Sequence, residues 1–176
     1  MAQAITTRLA TLADAPSIAR IYNEGIAERV ATFETTPRTD KQIVTQLAER
    51  GERYPTIVVE CNGRVIAWAA VSPYSARPCY AGIAEFSVYV DRDARGAGSG
   101  RAALERLIAE CAERGFWKLV SRVFPENTAS RALCRAVGFR EVGVYKRHAM
   151  LDSAWRDCVI VERLLGEAAQ DGQRPR

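Results

Sequence analysis

Three glycines fall within the six residues Arg95-Gly96-Ala97-Gly98-Ser99-Gly100, between a predicted strand and a predicted helix. The strand, Ile83 to Val90, is rich in β-branched and aromatic residues, and apolar residues recur at helical spacing from Leu104 to Cys111. Backbone N–H groups of such a loop can point at one anion, and the positive end of the helix dipole adds to the attraction. The order strand, glycine loop, helix therefore predicts a mixed α/β fold that holds a phosphate-bearing ligand. An ordinary glycine turn before a helix is the alternative.

The loop does not match two common phosphate-binding motifs. It lacks the Lys-Ser/Thr pair of nucleoside-triphosphate P-loops. The spacing of Gly96, Gly98 and Gly100 also differs from the G-x-G-x-x-G order of dinucleotide-binding folds. If the loop binds phosphate, its ligand therefore belongs to another class.

The first third of the chain predicts one strand and two helices. A strand at Ile5 to Leu9 precedes a helix that Asp14 can cap. Thr39 or Asp40 can start a second helix, which Gly51 can close from the left-handed region.

From Thr56 the apolar pattern changes to the alternation of strands. Ile57 to Glu60 and Val65 to Val71 flank an Asn62-Gly63 turn of the type that hairpins favour, which predicts an antiparallel meander. Trp117 to Val123 alternates in the same way after the glycine loop. The remaining predicted elements are a helix that Asn127 caps and Gly138 ends, and strands at Glu141 to His148 and Arg156 to Val161.

Length and composition limit the class of protein. The 176 residues suit one domain, predicted at residues 1–165, before a polar tail at residues 166–176 that we expect to be disordered. No apolar run reaches the roughly 18 residues of a membrane helix and no secretory signal is apparent, so we expect a soluble, cytoplasmic protein. Five cysteines without metal-ligand spacing predict neither a disulfide scaffold nor a metal site. A net charge of +4 without a basic run argues against nucleic acid as a partner.

Several motifs resemble those of one enzyme family. The run Arg95-x-x-Gly98-x-Gly100 resembles the acetyl-CoA signature of the GNAT superfamily of N-acetyltransferases, and Asn127-x-x-Ser130 resembles its second cofactor element. The order of elements matches from about Ile5 to Leu165. Four further segments resemble the branch that acetylates phosphinothricin, arsinothricin, methionine sulfoximine and methionine sulfone: Ile21-Tyr22-Asn23, Thr32-Phe33-Glu34, Glu85-Phe86-Ser87-Val88-Tyr89-Val90 and Trp155-x-Asp157.

The resemblance implies a fold and a cofactor site. The fold would be a mixed, mostly antiparallel sheet with helices on both faces and a splayed pair of parallel strands that binds acetyl-CoA. The pantetheine arm would hydrogen-bond to the backbone of Val88, Tyr89 and Val90. Asn127 would bind the arm near the thiol, or would act only as a helix cap. The pyrophosphate would lie over the glycine-rich loop, whose implied contacts are Arg95, Gly96, Ala97, Gly98, Ser99, Gly100 and Arg101.

Acetyl transfer to an amine needs a base, because an amino acid's amine is mostly protonated near neutral pH. The resemblance favours Glu85, which opens the strand facing the cofactor. Its neighbours in sequence, Ile83, Phe86 and Val88, are apolar, and desolvation by them would make the carboxylate a stronger base. The alternative is a solvent-facing strand residue. No nucleophilic side chain is required, because the amine can attack the thioester directly.

The substrate residues also follow from the resemblance. Arg77 is expected to bind the substrate's carboxylate, while Ser75 stands where relatives often carry a first arginine; a surface arginine is the alternative. Tyr22, Phe33 and Glu34 would wall the pocket, or would serve as core and cap residues. Phe86 and Ser87 of the catalytic strand complete the predicted substrate site. The lone histidine, His148, is expected to be structural.

The sequence predicts acetylation of a small amino-acid-like amine by a homodimeric enzyme, the dimer being expected from the resemblance alone. Two alternatives stay open. One is acetylation of a peptide or protein amine, although the sequence offers no obvious peptide platform. The other is a non-catalytic sensor of acyl-CoA, against which the presence of Glu85 argues.

Overall fold

In the computed structural model, which describes residues 4–170, seven strands form a sheet in the order β1-β2-β3-β4-β5-β7-β6. Neighbouring strands are antiparallel except for β4 and β5, which are parallel. The predicted mixed, mostly antiparallel sheet is thus confirmed. The strands are β1 (Ile5–Leu9), β2 (Thr56–Cys61), β3 (Arg64–Pro73), β4 (Ile83–Val90), β5 (Lys118–Val123), β6 (Arg140–Leu151) and β7 (Ala154–Leu164).

Helices cover both faces of the sheet, as predicted. On one face, apolar residues of the first two helices pack against Val58 and Trp68. On the other face, the third helix packs against Ile57 and Phe86. Because side chains alternate along a strand, β2 and β3 contribute to both cores. The α-helices are α1 (Ala15–Glu28), α2 (Asp40–Arg50), α3 (Ser99–Glu113) and α4 (Thr128–Ala136).

The capping predictions have mixed outcomes. Thr39 caps α2, since its hydroxyl accepts a hydrogen bond from the N–H of Gln42 at 3.2 Å. Asp14 directly precedes α1 but does not cap it. Its carboxylate instead accepts two hydrogen bonds from Arg8, both at 2.8 Å, and one from the N–H of Thr11 at 2.7 Å. The bonds from Arg8 hold the pKa of Asp14 below its usual value.

The parallel pair β4 and β5 diverges in the middle of the sheet. Backbone pairing runs only as far as Glu85 and Val120, and a hydrogen bond of 2.9 Å from the Ser121 hydroxyl to the Phe86 carbonyl follows it. On its other edge β4 stays paired with β3 up to Val90. From Ser87 to Val90, the edge of β4 that faces β5 therefore has no strand partner within residues 4–170.

The C-terminal hairpin is longer than the sequence pattern predicts. Strand β6 lies at the edge of the sheet and leaves large apolar side chains in solvent, with Tyr145 53% exposed. Residues Gly166–Ala169 of the predicted tail form a short 3₁₀ helix, and residues 171–176 lie outside the described part of the chain. Within the described residues, Cys79, Cys111, Cys134 and Cys158 form no disulfide, and none of the helices has the length and apolar content of a membrane span.

Candidate active site

Two clefts open where β4 and β5 separate. The first, here called the loop cleft, has a volume of ≈ 390 Å³ and is bordered by the glycine-rich loop. The second, the Glu85 cleft, has a volume of ≈ 330 Å³. The two clefts are adjacent, because five residues line both of them. The shared residues are Ala31, Val88, Tyr89, Asn127 and Ser130.

The glycine loop has the geometry of an anion cradle. Gly96 and Gly98 have φ values of 79° and 85°, in the left-handed region that favours glycine. Gly98 is the N-cap of α3, so the free N–H groups of the first turn of α3 lie at the loop cleft. A Cβ on Gly100 would lie 3.1 Å from Val90 and 3.2 Å from Leu133, so a larger residue there would press on both side chains. These features fit a phosphate-bearing group.

Helix α1 ties down the segment that leads into the loop. The carboxylate of Glu28 accepts from Arg95 at 2.9 Å and from Arg92 at 3.2 Å, and Glu24 accepts from the N–H of Arg92 at 2.9 Å. Burial favours a higher pKa for Glu28, but the two arginines outweigh it and hold that pKa below its usual value. An ionised acid thus lies in the wall of the loop cleft and binds the loop's own arginines.

Asp91, at the end of β4, is the buried anchor of this segment. Its side chain is only 2% exposed, and its carboxylate accepts from Arg20 at 2.7 Å and from Arg64 at 2.6 Å. The N–H of Asp93 donates to it at 3.0 Å. Burial acts to raise the pKa of Asp91, and these three donors outweigh it and lower the pKa. The anchor fixes the start of the glycine loop against α1 and β3.

Tyr89 places its backbone at the two clefts and its ring beneath α1. The ring stacks on Trp68 with centroids 4.9 Å apart and meets Tyr22 edge-on, also at 4.9 Å. A Cβ on Gly25 would come within 2.9 Å of the ring, so α1 approaches closely only because glycine stands there. Burial, and next the neighbouring Tyr22, raise the pKa of Tyr89 far above its ordinary value. The ring is a neutral support for the free edge of β4.

Glu85 has a different environment from the one that the sequence predicted. Alternation along β4 turns Phe86 and Val88 towards the core under α3, whereas Glu85 faces the opposite side of the sheet. There it forms a bidentate pair with Arg122 of β5: Nη2 lies 2.5 and 2.6 Å from the two carboxylate oxygens, and Nε donates at 3.1 Å. The expectation of an apolar setting for Glu85 is therefore wrong. The side chain of Glu85 is 29% exposed, and the residue lines the Glu85 cleft.

The segment after α1 walls the Glu85 cleft. Phe33 meets Phe124 edge-on with ring centroids 4.8 Å apart, and Glu34 pairs with Arg38 at 2.9 Å. The predicted substrate residues that line this cleft are Tyr22, Phe33, Glu34, Phe86 and Ser87. The buried thiol of Cys134 also borders the cleft, and burial raises its pKa to about 11, so it stays protonated near neutral pH.

Asn127 stands between the two clefts. Its side-chain oxygen caps α4 by accepting from the N–H of Ser130 at 3.1 Å, as the sequence predicts. The residue lines both clefts at the same time. Of the predicted cofactor residues, those that line the loop cleft are Val88, Tyr89, Val90, Arg95, Gly96, Gly98, Ser99, Gly100, Arg101 and Asn127. Ala97 lies in the loop but does not line the cleft.

Three residues considered at the sequence level lie elsewhere. Ser75 and Arg77 are on the connection between β3 and β4 and line neither cleft; the Arg77 guanidinium lies 5.7 Å from the centre of the Tyr80 ring. His148 is exposed on β6, with its ring 4.9 Å from that of Tyr145. Residues 4–170 contain no group of His, Cys, Asp or Glu side chains arranged to hold a metal ion.

Two important residues were missed at the sequence level. Glu28 could have been found from its spacing, because Arg20, Glu24 and Glu28 recur every fourth residue and share one face of α1. Arg122 carries a weaker signal, a charged residue in the strand-like stretch Trp117 to Val123.

Comparison with known proteins identifies one family. Residues 18–139 match the Acetyltransferase (GNAT) family. The phosphinothricin N-acetyltransferase of Alcaligenes faecalis is 35% identical over 165 residues, which are 92% of this chain and 83% of that protein. The L-methionine sulfoximine/L-methionine sulfone acetyltransferase of Salmonella typhimurium is 30% identical over 166 residues, 94% of this chain and 97% of that protein. Among solved structures, a GNAT superfamily phosphinothricin acetyltransferase from Sinorhizobium meliloti in complex with acetyl-CoA has a TM-score of 0.89 and 32% identity, covering 100% of this chain and 94% of that one.

Proposed function

Because the chain belongs to the acetyltransferase (GNAT) family, we propose that it transfers the acetyl group of acetyl-CoA to the amine of a small amino-acid-like substrate. The proposed substrates are of the class of phosphinothricin, arsinothricin, methionine sulfoximine and methionine sulfone. Relatives of this chain are named for phosphinothricin, methionine sulfoximine and methionine sulfone. The observation that carries the proposal is that the two clefts adjoin at Val88, Asn127 and Ser130, which line both of them. A donor in one cleft and an amine in the other would meet at that junction.

The donor would lie in the loop cleft. The free edge of β4 from Ser87 to Val90 can hydrogen-bond an amide-containing arm as a further strand would. The N–H groups at the start of α3 can bind its phosphates, with Gly96 and Gly98 leaving open space around the backbone. Asn127, already oriented by its capping bond, would bind the arm next to the junction. Arg95 and Arg101 would add positive charge.

The amine would enter from the Glu85 cleft. Tyr22, Phe33 and Glu34 form the wall opposite β4, and Glu85 and Ser87 lie on the strand itself. Bound acetyl-CoA supplies a thioester, in which the carbonyl carbon is open to attack and the sulfur leaves with the bonding electrons. Glu85 takes the proton that the amine must lose as its nitrogen forms the new bond to carbon. The protonated Cys134 thiol supports direct attack over a cysteine-bound intermediate.

We also propose that the protein functions as a homodimer. Exposed apolar side chains gather on the hairpin of β6 and β7, where Val144 is 48% and Trp155 58% exposed. Apolar clusters of this kind on a long edge strand mark interaction surfaces. Light scattering coupled to size-exclusion chromatography should give twice the mass of the 19.4 kDa chain. The mass of one chain at micromolar concentration would contradict the dimer.

The function is tested by thiol release from acetyl-CoA with a panel of amines. The panel contains phosphinothricin, methionine sulfone, methionine sulfoximine, ordinary amino acids, a polyamine and a short peptide. Saturable release with the first three, and at least about 10-fold lower kcat/KM with the polyamine and peptide, is the expected result. A preference for the peptide would replace the small substrate by a protein amine. Tight acetyl-CoA binding without release from any amine would favour a sensor.

A further inference from the structure

The charges around the Glu85 cleft are unequal. Among the described residues that line it, Glu34 and Glu85 are acids and Arg122 is the only cation. An amino-acid-like substrate carries an amine, which suits the two carboxylates, and an anionic group, which needs a positive partner. Glu34 is already paired with Arg38, and Arg77, the cation expected from the sequence, lies outside the cleft. The balance of charge singles out Arg122.

The position of Arg122 follows from the register of the parallel strands. Glu85 pairs with Val120, and the residue two positions further along β5 faces the same side of the sheet. The Arg122 guanidinium therefore reaches Glu85 from the adjacent strand, at the level where the strands begin to separate. Its side chain is 46% exposed, so the guanidinium is accessible from the cleft.

The guanidinium has spare hydrogen-bonding capacity. It uses Nε and Nη2 towards Glu85, while Nη1 makes no hydrogen bond within the described residues. An arginine has five N–H donors in a planar fork, and Nη1 carries two of them. Arg122 can thus bind a second carboxylate or an oxyacid group while it still contacts Glu85.

We infer that Arg122 binds the anionic group of the substrate and links its recognition to the availability of Glu85. The inference rests on the proposed function. Both oxygens of Glu85 accept from Arg122 in the free protein, which leaves the carboxylate poorly placed to take a proton. A substrate anion at the guanidinium weakens this hold, because two carboxylates then share one positive charge. An amine without an anionic group leaves Glu85 paired with Arg122. Such a substrate should therefore have a lower kcat as well as a higher KM.

The test compares an acid with its neutral counterpart. The probes are the most active amino acid of the panel and the carboxamide of the same compound, assayed with the full-length chain and its Arg122→Gln and Arg122→Lys variants. The unmodified protein should prefer the acid by about 10- to 100-fold in kcat/KM, the scale of a hydrogen-bonded charge pair. Arg122→Gln should reduce this preference to about 3-fold or less, and Arg122→Lys should retain part of it, because lysine keeps the charge without the fork.

Two further variants complete the design. Arg140→Gln removes another exposed arginine that pairs with a glutamate across strands, at 2.5 Å from Glu162, but lies outside both clefts, and it should keep the preference. Arg77→Gln tests the competing position. If Arg122 had only a structural role, its replacement would lower kcat/KM equally for the acid and for the carboxamide. An unchanged preference for the acid in Arg122→Gln therefore overturns the inference. Loss of the preference in Arg77→Gln overturns it too.

The outcomes separate this inference from the function on which it rests. If the unmodified protein releases no thiol with any amine of the panel, the proposed function fails. If it is active and the acid preference survives in both Arg122 variants, only the role of Arg122 fails. Acetyl-CoA affinity serves as the folding control for each variant. If Arg122→Gln does not bind acetyl-CoA, the acid preference in kcat/KM of Arg122→Lys is used instead. A preference equal to that of the unmodified protein then overturns the inference.

Discussion

The side-chain amide of Asn23 makes both backbone hydrogen bonds of Arg38: its Nδ2 donates to the carbonyl oxygen at 2.9 Å, and its Oδ1 accepts from the N–H at 2.8 Å. This residue of α1 thereby fixes the far end of the segment that carries Phe33 and Glu34. The wall of the Glu85 cleft thus depends on one amide that does not itself line the cleft.

Asn23→Ala should loosen that wall without touching the loop cleft. Two backbone groups lose their partners, and we expect KM for the amine to rise about 5-fold, while the Kd of acetyl-CoA stays unchanged. Steady-state kinetics and calorimetry measure the two constants. Thr45→Ala, which removes an exposed hydroxyl bond within α2, is the control and should alter neither. An equal rise in the Kd of acetyl-CoA would mean that the segment supports both clefts.

Glu85→Gln should lower kcat by about 10²-fold at neutral pH, because the amide keeps the size of the side chain but cannot accept the proton. Acetyl-CoA affinity should not change. The deficit should shrink as the pH approaches the pKa of the substrate's own amine, since less proton removal is then needed. Glu113→Gln, at an exposed position near the end of α3, should behave like the unmodified protein. A full kcat at neutral pH in Glu85→Gln would remove Glu85 from the mechanism.

Glu28→Gln should strengthen acetyl-CoA binding. The carboxylate would compete with the phosphate groups of a bound donor for Arg92 and Arg95, so its neutralisation would free both arginines. We expect a decrease in Kd of about 3-fold at low ionic strength that fades in about 1 M salt, as exposed charges are screened. Calorimetry at two salt concentrations measures it, with Glu113→Gln again as control. Weaker binding would indicate instead that Glu28 is needed to orient the arginines.

Asp91→Asn should change how stability depends on pH. Folding lowers the pKa of Asp91, so its contribution to stability is present above the ordinary carboxyl pKa of about 4 and is lost as the pH falls through the lower folded value. The variant should lose about 3 kcal/mol of unfolding free energy at pH 7, the scale for a broken buried ion pair. Below about pH 4 its stability should fall less steeply than that of the unmodified protein.

Denaturant unfolding at a series of pH values measures both effects of Asp91→Asn. Glu49→Gln, at an exposed position on α2, is the matched control and should shift stability by less than about 0.5 kcal/mol. Parallel stability curves for Asp91→Asn and the unmodified protein below pH 4 would contradict the assigned ionisation.

The features that the sequence predicts well are those that local rules determine. The strand Ile83–Val90, the glycine loop and the Asn127 cap need only the alternation of side chains, the backbone freedom of glycine and the capping chemistry of asparagine. Resemblance to a family then supplied the splay of β4 and β5, which no local pattern encodes.

The features that the sequence did not predict depend on distant contacts. Arg122 meets Glu85 across 37 positions of chain, through a strand register that the sequence does not state. The apolar neighbours of Glu85 were misjudged because residues adjacent in sequence face opposite sides of a strand. Asp14 precedes a helix as caps do, yet Arg8 on β1 binds its carboxylate instead. Arg77 lies on the connection between β3 and β4, whose path no periodic pattern in the sequence determines.

The bare edge of β4 would give a bound donor a second role. From Ser87 to Val90, β4 is hydrogen-bonded to a strand of the described chain on one edge only. A ligand bound along the other edge would take the place of the missing strand. Such a ligand becomes part of the fold, and at about 100 times its Kd it would add about 2.7 kcal/mol to the resistance of the chain to unfolding. Thioester supply would then govern how long each copy of the protein survives, as well as how fast it works.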